Sequence, residues 1–213
     1  MIVKKAFTLA EVLITLGIIG VVAALTIPTL IQNYREKVTV IKVKKMYSTL
    51  VNAYELYKVK NGAASSLLPY SEEGAKQVAE IFRPYLKIAK DCGTMETDCA
   101  VASSYKHNCG TGFSPHYGTD NRYYKVILND GSLLFFRGGA DEKYVLEVFY
   151  DVNGKNDPNQ WGHDIFQFQV QPDDNCLTAY GHGKSKEECA KDIFGCTAWL
   201  IFQGNMDYTS KLQ

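Results

Sequence analysis

The chain has no excess of charge of either sign: 23 Lys and Arg stand against 23 Asp and Glu among 213 residues. With no basic surplus and no zinc-finger spacing, nothing in it points to nucleic acid. It has no CxxC pair, which argues against zinc and against thioredoxin-like redox chemistry. Neither GxSxG nor HExxH occurs, so the hydrolase elbow and the zinc-protease helix are both missing. Gly183-Lys184-Ser185 has the form of a P-loop tail, but Thr178 stands where the first Gly belongs and no strand leads cleanly into it. The four histidines, His107, His116, His163 and His182, are scattered through loop-like sequence and read as surface residues. No internal repeat or low-complexity segment is visible. The chain is therefore not expected to be an enzyme, and no cofactor is required.

Charge is missing most completely from Val12 to Ile31, twenty residues without an ionisable side chain. As a helix, that run is long enough to cross a hydrocarbon core of about 30 Å. Lys4, Lys5 and Phe7 precede it, and a single carboxylate, Glu11, sits near its start. A charge in such a segment costs about 2.5–3.5 kcal/mol even on insertion scales, so it normally has a partner. A secretory signal has a 7–15-residue apolar core and a small-x-small cut. Here the run is longer, and Ala23-Ala24 is followed by more apolar residues. A plain membrane anchor is the other bland reading, and it has no need of Glu11.

Lys5-Ala6-Phe7-Thr8-Leu9-Ala10-Glu11 resembles the processing site of type IV pilins and type II secretion pseudopilins. The resemblance is specific over about the first 30 residues. It implies cleavage by a prepilin peptidase between Ala6 and Phe7, N-methylation of Phe7, and an assembly role for Glu11. The residue before the cut is Ala6, where the family usually has Gly. The resemblance also implies self-assembly with other pilins, driven by a membrane platform and a cytoplasmic ATPase. It sets the orientation, with the leader in the cytoplasm, one pass through the inner membrane and the head exported. Charge alone leaves orientation open, because Arg35, Lys37, Lys42, Lys44 and Lys45 follow the run. Removal of six residues leaves 207, with 21 basic and 23 acidic side chains. Independently of the family, a free amine on Phe7 would lie one helical turn from Glu11. Opposite charges attract more strongly in low dielectric than in water.

From Gln32 to Lys60 there is neither Pro nor Gly. Val38, Ile41, Met46, Tyr47, Leu50, Val51, Tyr54 and Tyr57 recur at helical spacing. One helix is therefore expected from Phe7 to Lys60, stopped by Asn61-Gly62, with its aromatic stripe packed on a sheet. Gly17 and Gly20 are small enough for close helix approach, and Pro28 is expected to kink the helix. In the resembled family, the stretch matching Gly20 to Pro28 is where the helix loosens in the filament. Beyond residue 61, a short helix is expected at Glu72–Phe82, ended near Pro84, and a loop from Cys92 to Gly118. Strands are expected at Arg122–Leu128, Ser132–Arg137, Tyr144–Tyr150 and Asp164–Gln171, the first two joined by the turn Asn129-Asp130-Gly131. A helix near Ser185–Phe194 and a strand at Thr197–Phe202 close the chain. The class is α+β: a long transmembrane-and-stalk helix packed on a small antiparallel head, as in pilins. The expected division is leader 1–6, membrane and assembly helix 7–31, stalk helix 32–61 and head 62–213.

Six cysteines, Cys92, Cys99, Cys109, Cys176, Cys189 and Cys196, suit disulfides in an oxidising compartment. Local pairing, Cys92–Cys99 and Cys176–Cys189, is the simplest of fifteen connectivities. The segment from Asp151 to Asp164 gathers oxygen side chains between two strands. Calcium wants six to eight oxygen ligands, and Asp151, Asn153, Asp157 and Asp164 are the candidates. The pattern is not an EF-hand, since Gly154 is fourth and no Glu is twelfth. A metal-free connection with Asp and Asn capping their own backbone stays open beside it. Two classes of function remain: a filament subunit, and a membrane-anchored binding module or enzyme whose head works alone.

Overall fold

The computed structural model describes residues 8–62, 68–95, 99, 105–109, 117–139, 143–173 and 175–209. The chain divides into two compact units, Met1–Val38 and Thr39–Gln213. Helix α1 covers Leu9–Asn61 and continues through Pro28. It ends at Gly62, whose φ of 77° only glycine adopts readily. The Gly62 N–H donates to the Lys58 carbonyl at 2.8 Å, closing the last turn.

Within the first unit the helix has no covered face. Leu13, Ile14, Leu16, Ile18, Ile19 and Val21 are each at least 60% exposed. Two hydroxyls in this stretch are turned back to the helix: Thr15 donates to the Glu11 carbonyl and Thr26 to the Val22 carbonyl, both at 2.9 Å. That bonding satisfies each hydroxyl within the helix itself. The helix is long and apolar enough to cross a membrane.

In the second unit α1 becomes one-sided. Val40, Val43, Met46, Leu50, Ala53 and Tyr54 are buried, with Tyr47, Val51 and Tyr57 packed beside them. Ile41, expected on the inner face, is instead 65% exposed; Val40 and Val43 take the inward positions, continuing towards Met46 and Leu50 in steps of three and four residues. The aromatic stripe meets the sheet as expected. Tyr47 stacks on Phe168 at 5.8 Å, and Tyr54, Phe82 and Phe136 form a stacked series.

The sheet has six strands: β1 (Ile88–Gly93), β2 (Tyr124–Leu128), β3 (Leu133–Gly138), β4 (Leu146–Asp151), β5 (Ile165–Val170) and β6 (Leu177–Ala179). They lie in chain order, each antiparallel to the next. Two edge strands were not expected. β1 pairs with register irregularities and lacks alternation, while β6 has only three residues. The β2–β3 turn is closed by Asp130, whose Oδ1 accepts from the Ser132 N–H and hydroxyl.

Helix α2 (Glu72–Phe82) has the expected bounds. Ser71 caps it by accepting from the Gly74 N–H at 3.2 Å. Pro84 falls in a single 3₁₀ turn, Arg83–Tyr85. Near the C-terminus, α3 covers Lys186–Lys191. Thr197–Phe202 is not a strand but most of α4 (Thr197–Gln203), closed by Gly204 in the left-handed region. Short apolar runs do not distinguish strand from helix by period alone. Here Thr197, Ala198 and Leu200 are buried on one side, and the Ala198 N–H donates to the Tyr180 carbonyl just after β6.

Both faces of the sheet are covered, and they differ in chemistry. Towards α1 and α2 lie Val126, Leu134, Phe136, Leu146, Val148, Phe166, Phe168 and Val170. The opposite face carries Phe135, Phe149 and Ile165 beneath Tyr105, Tyr117, Tyr123 and Trp161. The same face holds the buried polar residues Lys125, Glu147, Asp151, Gln167 and Gln169. Truncation of Leu50, which is fully buried between α1 and the sheet, is expected to cost about 2–5 kcal/mol as Leu50→Ala. Denaturant unfolding measures this, with Val59→Ala, at an exposed position of the same helix, as a near-neutral control.

Candidate functional site

Ala6 and Phe7 lie outside the described residues, which begin at Thr8. Thr8 and Glu11 are bonded to each other at the start of α1. The Thr8 N–H and hydroxyl both donate to Glu11 Oε2 at 2.8 Å. The Glu11 N–H donates back to Thr8 Oγ1 at 3.2 Å. This is a capping box, in which a Thr and a Glu three residues on satisfy each other's helix-end donors. The signal was present in the sequence as Thr-x-x-Glu ahead of an apolar run. Glu11 therefore has a local partner whether or not it also meets an amine. Gly17 and Gly20 have open space where a Cβ would stand, so their surfaces are bare backbone.

The 151–164 segment brings together two of its four candidate ligands. Asp151 ends β4, and its carboxylate accepts from the Tyr105 hydroxyl at 2.7 Å and the Asn153 N–H at 3.2 Å. Asp164 accepts from the Asn159 and Gln160 N–H groups, both at 2.7 Å. Each of the four carboxylate oxygens thus has a donor from the protein. Asp157 is turned elsewhere, to the Asn159 amide at 3.1 Å, and the Asn153 amide donates to the Asp157 carbonyl at 3.0 Å. Gly154 has φ 65°, and a Cβ there would lie 2.6 Å from the Gly131 carbonyl oxygen.

Among the described residues no group of three or more His, Cys, Asp or Glu side chains is placed to hold a metal ion. The side-chain oxygens of Asn153 and Asn159 are buried without a hydrogen-bond partner. Burial, then the neighbouring Asp164 charge, pushes the Asp151 carboxyl up to about 8. Burial raises Asp164 to about 6, against the donors that lower it.

The cysteines pair as Cys92–Cys99 and Cys189–Cys196. The first was expected; Cys176–Cys189 was not formed. α3 and the turn after it return the chain so that the Cα atoms of Cys189 and Cys196 are 5.2 Å apart, while Cys176 is exposed just before β6. Cys109, half-buried, lies outside both bridges. Both disulfides enclose seven-residue separations.

The P-loop-like residues are accounted for structurally. Lys184 pairs with Asp192, and Ser185 caps α3 in a second capping box with Glu188. His116 lies outside the described residues. His182 is exposed, edge-on to Phe202. His163 departs from the surface reading, being half-buried, with burial drawing its pKa down.

The model of one protein family, described only as a family of unknown function, DUF6613, matches residues 29–191. The chain belongs to this family. The DUF6613 match takes in the second half of α1, the whole sheet, the Cys92–Cys99 bridge and the 151–164 segment. It begins after Glu11 and most of the uncharged run, and it stops before Cys196. No curated protein and no solved structure matches the chain.

One feature of this DUF6613 chain was not expected from its sequence: a buried ion pair on the second sheet face. Arg137 and Glu147 are directly opposite in β3 and β4. The Arg137 Nε donates to Glu147 at 2.6 Å and another guanidinium nitrogen donates to the Tyr123 hydroxyl at 2.6 Å. The Gln167 amide donates to the other Glu147 oxygen at 2.7 Å. These positions lie on the sheet face opposite Phe136, Val148 and Phe168.

The two raised carboxyls give a pH dependence with a definite sign. Their folded values exceed the ordinary 3.8, so the stability they contribute is complete below about pH 4. It is lost as the pH rises through about 6 and about 8. Thermal melts are expected to show stability falling from pH 5 to pH 8.5, and Asp151→Asn to flatten that fall. Calcium at millimolar concentration at pH 8 raises the melting temperature if these oxygens hold the ion, and leaves it unmoved in the metal-free arrangement.

Proposed function

We propose that this protein is a pilin-like filament subunit, either a pilin or a pseudopilin, anchored by α1 and assembled through it. The observation that carries the reading is the amino-terminal segment itself. Phe7 to Glu11 is followed at once by twenty uncharged residues on a helix whose large apolar side chains in that run are exposed. Such a surface needs lipid or the same surface of other copies. Support comes also from the α+β plan, with the second half of the same helix packed on an antiparallel sheet. Two disulfides suit a head exported from the cytoplasm.

On this reading a prepilin peptidase removes residues 1–6 and Phe7 is methylated. The head is exported across the inner membrane, and a platform and its ATPase extract subunits into the filament. Glu11 supplies the charge that meets a neighbour's amine, and Gly17, Gly20 and Pro28 shape the helix contacts. Mass spectrometry of the native chain is expected to find a start at N-methylated Phe7. An intact Met1 in a chain that stays monomeric favours a head that works alone on an anchor.

The Thr8–Glu11 capping box adds a way to separate charge from capping. Glu11→Leu removes both, while Glu11→Gln keeps an acceptor at the third helical position. Membrane insertion is expected in both variants and filament assembly in neither, read by sedimentation and electron microscopy. Assembly retained by Glu11→Gln would assign Glu11 to capping alone.

A further inference from the structure

A groove of about 490 Å³ opens in the second unit between α1 at residues 41–49 and the segments 85–87 and 128–130. Its apolar lining is Ile41, Met46, Leu86 and Leu128. Lys42, Lys45 and Lys87 line it as well, against one carboxylate, Asp130. Asp130 is engaged by Ser132, and the Lys42 ammonium donates to the Val152 carbonyl at 2.8 Å. Lys45 and Lys87 are exposed, and neither belongs to an ion pair among the described residues. The groove thus combines hydrocarbon walls with surplus ammonium groups, which suits an amphiphile with an anionic head.

We infer that this groove takes an anionic phospholipid of the membrane surface. The inference rests on the anchored reading given above. Ten residues separate Ile41 from Ile31, the end of the uncharged run, and that length of chain reaches at most about 35 Å. With Val12–Ile31 in a bilayer, the chain tethers the groove within about 35 Å of the hydrocarbon edge. The lipid's phosphate meets Lys45 and Lys87, and the glycerol end of an acyl chain meets Ile41, Met46 and Leu86. Attraction between such groups is screened by salt. A small free anion would leave the apolar wall wet, and this is why a lipid is favoured over phosphate.

The test uses the full chain in nanodiscs containing phosphatidylglycerol with a photoreactive diazirine near the glycerol end of its acyl chain. Cross-links are mapped by mass spectrometry. Labelling is expected within residues 41–49 and 85–87, several-fold weaker with the phosphatidylcholine analogue and several-fold weaker in Lys45→Glu/Lys87→Glu. Labelling within Val12–Ile31 is the internal reference. Its absence would fail the anchored reading itself. Its presence, with groove labelling absent or indifferent to lipid charge and to the double substitution, overturns the groove assignment alone. Groove residues cross-linked to another copy of the chain in both lipids also overturn it.

Discussion

Contact between the inner stripe of α1 and the apolar face of the sheet holds the second unit together. Val43, Leu50, Ala53 and Tyr54 are completely buried there, and each large aliphatic side chain so removed from water contributes about 1.5–3 kcal/mol. The stripe is tied at its polar tips as well. Tyr54 donates to the Asn175 side chain and Lys58 to the Asn175 carbonyl, beyond β5. Lys42 reaches the Val152 carbonyl, beyond β4. The helix therefore fixes the loops at two strand ends while its body fills the core. α2 completes the layer, with Phe82 stacked between Tyr54 and Phe136.

The second sheet face depends on that first layer and is built differently. Arg137, Glu147, Gln167 and Tyr123 satisfy one another beneath aromatic rings, and the Arg137 guanidinium lies 5.0 Å from the Phe149 ring centre. A buried pair of this kind is weak evidence for stability. Its contribution here is to register: Arg137 and Glu147 are cross-strand partners, and a slip of one residue would move them to the apolar face. Lys125, in the neighbouring strand β2, also anchors this face. It donates to the Thr94 and Gly118 carbonyls at 2.8 and 3.0 Å and so holds two loop segments against the sheet.

The same helix serves two environments by changing its sequence pattern. From Val12 to Ile31 it is apolar on every side, so it has no preferred face and suits lipid or a bundle. From Val40 onward the buried positions narrow to one side, and the rest is mostly charged or polar, with Ile41, Leu56 and Val59 exposed among it. The capping box at Thr8–Glu11 starts the helix and Gly62 stops it, so both ends are set by local chemistry. Between them the helix is continuous, Pro28 included.

Much of this was legible in the residues, and the division is physical. The bounds of α2, the stop at Asn61-Gly62 and the Asn129-Asp130-Gly131 turn rest on neighbours within four residues. The Cys92–Cys99 bridge is nearly as local. The uncharged run needs no neighbours at all, since its length and apolarity are properties of the string. By contrast, β1 and β6 exist because central strands offer them edges to pair with: β1 does not alternate, and β6 is only three residues long. Thr197–Gln203 is a helix because the chain returns beside Tyr180 and buries one side of it. Cys189 found Cys196 rather than Cys176 for the same reason, through the turn that follows α3. The polarity of residues 137, 147 and 167 was visible, but their burial was decided by loops from elsewhere in the chain. Sequence by itself determined where the long helix runs, what it cannot leave in water and where its local caps lie. Tertiary structure alone decided which polar groups are buried and which short runs pair as edge strands, because both depend on what distant segments bring to the other side.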